Sequence, residues 1–165
     1  MGFKAICGSS LNGAVFSPDR TYRYLLWRVW RRNAPYVMFI GLNPSTATEI
    51  DMDPTVTRCR NYAASWGYGS IAMTNLFAYR STDPALLYQV KDPVGPENDH
   101  YLLETATDAG LVVAAWGNHG KLHHRDEAIT TMIKWLHHLG LTNQGCPKHP
   151  LYLLKDLKPH KWEDL

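Results

Sequence analysis

The chain of 165 residues and 18.7 kDa has the length of one compact domain, and we expect a single α/β domain over residues 1–165. Its composition, 45% hydrophobic, 12% aromatic and 19% charged, supports one sizeable core and excludes a disordered chain. The net charge of +2 decides little about partners, and the chain has neither an apolar run long enough to cross a membrane nor the apolar start of a secretory signal.

The first half of the chain predicts two strands and a helix. Aromatic and β-branched residues between 22 and 30 predict a strand, which we expect at a sheet edge because arginines interrupt it. The continuous apolar run 36–41 is typical of a strand buried on both faces, as in parallel sheets covered by helices. Asp53 and Pro54 supply an N-cap and a first-turn proline for a helix that extends to about Trp66.

The second half repeats this alternation. Short apolar runs predict strands at 70–75 and 111–116. Helices are predicted from residue 83, over 96–109 and over 124–139, the last being the longest. Strands that alternate with helices indicate βαβ units, and therefore a parallel sheet with right-handed crossovers. The predicted fold class is α/β, a three-layer α/β/α sandwich whose central, mainly parallel sheet has about four strands.

Polar loops follow the predicted strands. In open α/β sheets, ligands bind beyond the carboxyl ends of the strands. The loops 41–54, 75–80 and 116–120, together with the segment 148–152, would therefore converge at one edge. We expect the functional site there.

These loops carry a series of motifs in a fixed order. They are Gly41-Leu-Asn-Pro-Ser-Thr-Ala, Asp53-Pro-Thr, Arg58-Cys59, Asn75-Leu-Phe-Ala-Tyr-Arg80, Ala115-Trp-Gly and His149-Pro-Leu-Tyr. Over roughly residues 15–155 they resemble the bacterial and phage family called DUF1643, whose name carries no established activity. Gly41-Leu-Asn-Pro, Thr74-Asn75 and His149-Pro150 also resemble, more distantly, motifs of the uracil-DNA glycosylase superfamily.

The distant resemblance implies a glycosylase-like fold and an enzyme that hydrolyses the N-glycosidic bond of a base in DNA. Two departures argue against ordinary uracil chemistry and favour a modified base. Position 151 is Leu where the superfamily usually has Ser, and the water-activating acid of its main branch has no direct counterpart.

The chemistry of N-glycosidic bond cleavage suggests catalytic roles for four residues. Asn43 would orient a water molecule, and Asp51 or Asp53 would supply the missing base. His149 would donate to a developing oxyanion or contact a phosphate. Asp53 could equally be a plain helix N-cap, and His149 a surface histidine between prolines. Because Asn43 directly follows a buried strand, we expect Asn43→Ala to abolish function with little effect on stability.

The predicted binding residues lie in the same loops. Asn75 would pair with the edge of an extruded base, although a turn residue at a strand end is the alternative. Trp116 could stack on a base or pack in the core. Arg58 and Arg80 could hold phosphate, or could belong to a solvated helix face or a pair with Asp83. The remaining predicted binding residues are Gly41, Leu42, Pro44, Ser45, Phe77 and Pro150.

No metal or cofactor is expected. Three scattered cysteines are too few for a disulfide framework or a four-thiolate site, and they favour a reducing cytoplasm. His119 and His123 have the i, i+4 spacing of a metal pair but lack the accompanying Glu. Strand alternation predicts that Arg23 and Arg28 lie on opposite faces of their strand, so that only some arginines could contact DNA.

Three functions remain open at this point. The favoured one is a DNA glycosylase-like enzyme that acts on a modified nucleobase. The others are a non-catalytic protein that binds a base or nucleic acid, and a hydrolase or transferase of free nucleosides or nucleotides. The expected partners are accordingly DNA, a nucleobase or a nucleotide, with no membrane, and the expected state is a cytoplasmic monomer.

Overall fold

A seven-stranded mixed sheet runs through residues 2–163, the part of the chain that the computed structural model describes. Its strands are β1 (Asn12–Phe16), β2 (Arg23–Val29), β3 (Tyr36–Gly41), β4 (Ser70–Asn75), β5 (Leu111–Ala114), β6 (Leu136–His138) and β7 (His160–Lys161). The α-helices of the same residues are α1 (Phe3–Cys7), α2 (Pro54–Ser65), α3 (Asn98–Thr107) and α4 (Arg125–Met132), and 3-10 helices span Pro84–Tyr88 and Asn118–His124.

The strand order is β1-β2-β4-β3-β5-β6-β7. The pairs β4-β3, β3-β5 and β5-β6 are parallel, whereas β1-β2, β2-β4 and β6-β7 are antiparallel. The predicted neighbourhood of 36–41, 70–75 and 111–116 is thus confirmed, since β3 lies between β4 and β5. The predicted extent of about four mainly parallel strands is wrong, because antiparallel strands extend the sheet on both sides.

Helices cover both faces of the sheet. Met38 and Ile40 of β3 pack in one apolar cluster with residues of α1, α3 and α4. Val37 and Phe39 point to the other face and pack against α2. This alternation along one strand explains why the run 36–41 is apolar throughout.

Strand β2 lies inside the sheet, between β1 and β4, and not at the predicted edge. Its two arginines are buried, with 3% of Arg23 and 4% of Arg28 exposed. Their guanidinium groups donate to backbone carbonyls, which lowers the cost of burying them. Arginines within an aromatic strand therefore do not indicate an edge when loop carbonyls are within reach.

The predicted long helix over 124–139 is also wrong. Helix α4 ends at Met132, the backbone at Ile133 is extended, and Leu136 begins β6, which pairs in parallel with β5. The apolar residues 129, 133 and 136 are all fully buried, so their spacing is compatible with either a buried helix or a buried strand. Periodicity alone does not separate these two structures for short apolar runs.

Candidate functional site

A cavity of about 330 Å³ opens at the carboxyl ends of β3, β4 and β5. Its size suits a ring-sized ligand, at the lower end of the usual range for small-molecule sites. Nine of the residues predicted from sequence line it: Gly41, Leu42, Asn43, Pro44, Ser45, Asp53, Asn75, Trp116 and His149. The convergence of loops predicted from the strand order therefore takes place.

The other predicted residues lie outside this cavity. Phe77 is fully buried in the core, and Asp51 is exposed at the end of a turn that Thr48 closes. Arg58 lies over the Tyr62 ring on α2. Arg80 donates to the carbonyl of Arg20 and forms no ion pair with Asp83 within the described residues. Pro150 is buried beside His149 but does not line the cavity.

Asn43 braces the loop that follows β3. Its Nδ2 donates to the carbonyl of Ser81 at 2.9 Å and, over longer distances, to those of Pro44 and Tyr79. The Ser81 amide in turn donates to the carbonyl of Pro44 at 2.9 Å. The side-chain NH₂ of Asn43 is therefore occupied by backbone, and only its oxygen is left to contact a ligand or a water molecule.

Asp53 is the helix N-cap that the sequence offered as one alternative, and it also lines the cavity. One carboxylate oxygen caps α2 by accepting from the Val56 amide at 2.8 Å. The other accepts from the Ser45 hydroxyl at 3.1 Å, and both residues line the cavity. A carboxylate oriented by two donors is a pre-positioned base for a molecule bound beside it.

His149 faces the cavity from the far end of the chain. Its Nδ1 accepts from the Leu151 amide at 3.2 Å, so in the neutral ring the proton sits on Nε2. Although the residue is exposed, the surrounding protein displaces enough of its hydration to lower its pKa, and the charge of Asp53 partly opposes that shift. At neutral pH the ring is a neutral Nε2–H donor.

Asn75 lines the cavity without a protein partner for its side-chain amide in the described part of the chain. It is 5% exposed, and its side chain makes no hydrogen bond within the described residues. A Cβ on Gly41 would lie 2.8 Å from its Oδ1, so glycine at position 41 leaves room for this amide. An amide that lines the cavity without a protein partner is free to exchange hydrogen bonds with a polar ligand.

Trp116 packs in the core with only 2% of its surface exposed, and its ring lies 6.0 Å from that of Trp162. Its indole N–H has no partner among the described residues. The geometry favours the core interpretation over stacking on a base, because little of the ring is open to the cavity.

Arg23 is the most informative wall residue that sequence analysis missed. It stands at the amino end of β2, which runs antiparallel to β4 and so brings Arg23 to the carboxyl edge of that strand. No local sequence pattern identifies Arg23 as a wall residue, because its place depends on which strand pairs with β2. Other wall residues not predicted as site members include Ser81, Thr82, Asn118 and His119, from two loops that the predicted site only partly included.

Residues 2–163 hold neither a cluster of metal ligands nor a membrane-spanning helix. No group of three or more His, Cys, Asp or Glu side chains is placed to hold a metal ion there. His119 instead bonds the Tyr88 hydroxyl at 3.0 Å. In the same residues, every helix is too short or too polar to cross a lipid bilayer.

Fold and site together define an α/β protein with a cavity at the carboxyl edge of its parallel strands. The chain belongs to the family described as "Protein of unknown function (DUF1643)", whose model matches residues 23–151. No curated protein and no solved structure matches the chain. The resemblance to the uracil-DNA glycosylase superfamily receives no support from these findings, and it remains a hypothesis based on motifs.

Proposed function

We propose that the protein is a DNA glycosylase-like enzyme that hydrolyses the N-glycosidic bond of a modified nucleobase. One observation carries this proposal: a pre-positioned carboxylate, a neutral histidine and an amide without protein partners within residues 2–163 line the same cavity. These are Asp53, His149 and Asn75. They supply, in that order, a base for water, a donor for developing negative charge and a contact for a base edge.

In the proposed reaction, a water molecule beside Asp53 attacks C1′ of the sugar. The bond between C1′ and the base nitrogen breaks, and its electron pair leaves with the base. The water proton passes to the Asp53 carboxylate and then, through solvent, to the base. His149 donates a hydrogen bond from Nε2 while the charge develops, and Asn75 holds the base through its amide.

Release of free base tests this proposal. The substrates are single- and double-stranded oligonucleotides that carry a panel of modified bases, together with the corresponding free nucleosides. Asp53→Asn is the informative variant, because Asn caps a helix as well as Asp but cannot accept the proton. We expect it to fold as the wild type does and to release base more slowly by about 10²–10⁴-fold.

The outcome also separates the competing functions. Cleavage of nucleosides without cleavage of any oligonucleotide would indicate a free-nucleoside hydrolase. Full activity of Asp53→Asn would remove Asp53 from the mechanism. Failure of the wild type to release base from any member of the panel would reject the proposal.

A further inference from the structure

The cavity wall contains a positive charge that no neighbouring carboxylate neutralises directly. Arg23 is 3% exposed, and none of the ion pairs within the described residues includes it. The only hydrogen bond of its side chain there runs from Nη1 to the carbonyl of Ala47, at 2.8 Å. Its Nε is buried without a partner.

A structural role does not account for this arrangement. A guanidinium has five N–H donors, and a buried one that only braces a loop is expected to use most of them. Arg28, on the same strand, behaves in this way and donates to the carbonyls of Trp27, Thr48 and Asp51. Arg23 makes one such bond and also lines the cavity, which Arg28 does not.

One acid and two cations act on Arg23 from nearby. Asp53 is the one nearby acid that favours its charged form, whereas Arg28 and Arg80 disfavour it. Burial lowers the pKa of Arg23 to about 10, so it stays protonated at neutral pH despite that cost. A buried cation of this kind is stabilised most by an anion that arrives in the cavity.

We propose that the ligand of this cavity is a heterocycle that carries a negative charge when bound, with Arg23 as its charge partner. The charge resides either on a carboxylate substituent or on the ring itself after loss of an N–H proton. Asn75 lines the same cavity and supplies the neutral hydrogen bonds. This inference goes beyond bond cleavage and also applies to a protein that only binds.

Calorimetric titration of the wild-type protein with four ligands tests it: uracil as a neutral ring, orotate as the same ring with a carboxylate, urate as a ring anion, and inorganic phosphate as an anion without a ring. We expect orotate or urate to bind about tenfold or more tightly than uracil, and phosphate to bind weakly. Tighter binding of orotate would indicate that a carboxylate substituent carries the charge, and tighter binding of urate that the ring itself does.

Arg23→Gln is expected to abolish the preference for the anion, and Arg23→Lys to retain part of it. The matched control is Arg20→Gln, which removes the same charge from an exposed arginine that does not line the cavity and pairs with Glu49. This control should keep the preference. The wild-type comparison does not depend on whether the Arg23 variants fold.

Several outcomes would overturn the inference: uracil binding as tightly as both heterocyclic anions, phosphate binding best, no binding of any ligand, or an unchanged preference in Arg23→Gln. The base-release assay, run on the same preparations, separates this inference from the proposed function. Anion preference without base release would reject only the hydrolase. Base release without anion preference would reject only the role of Arg23.

Discussion

The structure gives Asn43 a different role from the one expected from the sequence. As a polar residue directly after a buried strand, it is expected to matter for function alone. Its bonds to three backbone carbonyls instead connect the loop after β3 with the segment 79–81. The expectation that Asn43→Ala spares stability therefore no longer follows from its surroundings.

We predict that Asn43→Ala lowers the free energy of unfolding by about 1–3 kcal/mol, because partly buried acceptors lose their donor. Urea denaturation measures this change. Asn43→Asp is the matched control: it keeps the size of the side chain and one oxygen but also removes the donor, so it should be at least as unstable. A wild-type denaturation midpoint for Asn43→Ala would contradict this prediction.

The contact between Gly41 and Asn75 gives a second prediction at this scale. A methyl group at position 41 would lie 2.8 Å from the Asn75 Oδ1, so Gly41→Ala should displace that amide and weaken ligand binding. The added group should also cost about 1–3 kcal/mol of stability. In the double variant Gly41→Ala, Asn75→Ala most of this stability should return, because the opposing atom is gone. Additive losses would show that the two residues do not interact.

At the scale of elements, the outer strands β6 and β7 are expected to respond to acid. Burial lowers the pKa values of His137 and His138. On β7, Lys161 lowers the pKa of His137 further, and His160 lowers that of His138 further. The unfolded chain therefore binds protons more readily than the folded one. Stability should be complete above the ordinary histidine pKa of 6.5 and should fall as the pH drops below it.

Thermal unfolding between pH 8 and about pH 5 measures this loss. The carboxylates with lowered pKa values, such as Asp19 and Glu49, titrate below this window and do not obscure it. In His138→Gln the loss should be smaller than in the wild type, because one of the titrating groups is absent. The same acid dependence in that variant would exclude His138 as a contributor.

Local sequence patterns were sufficient to predict some of the helices and strands but not all of them. The capped helix at 54–65 and the apolar strands β3, β4 and β5 were predictable, because each has a local signal. Strand β6 was not, since its buried residues fit a helix as well. In the candidate site, the converging loops followed from the strand order, whereas Arg23 depended on a pairing that no local pattern reveals.

A bulge explains the most consequential error. Simple alternation predicts that Arg23 and Arg28 lie on opposite faces of β2. The register with β1 shifts between Val15 and Phe16, so that Val15 faces Leu25 and Phe16 faces Arg23. An extra residue in one strand reverses the alternation beyond it. Both guanidinium groups therefore donate to neighbouring carbonyls of one loop, those of Ala47 and Thr48.

For the whole molecule, burial of these two arginines reduces the expected contact with nucleic acid. Arg58 on α2, outside the cavity, and the exposed Lys148, next to His149 in the chain, are the remaining candidates for phosphate contact, since His149 is neutral at neutral pH. If an oligonucleotide binds, we expect the logarithm of its affinity to fall with that of the salt concentration at a slope of roughly −2 or shallower. Fluorescence titration at several salt concentrations measures this slope.

The charge-removing variants Arg58→Gln and Lys148→Gln should each reduce the slope by about one unit. A much steeper slope would show that further cations contact the backbone. Binding that does not change with salt would instead indicate that only the base is recognised.

The cavity walls come from residues as distant in the chain as Arg23 and His149. The sheet is likewise built from partners far apart in sequence, since β2 pairs with β4 and β3 with β5. Such topologies fold slowly, because long loops must close before their contacts form. We therefore expect the pocket to be completed late in folding. A ligand held between its walls would have little effect on the folding rate and would stabilise the protein by slowing its unfolding.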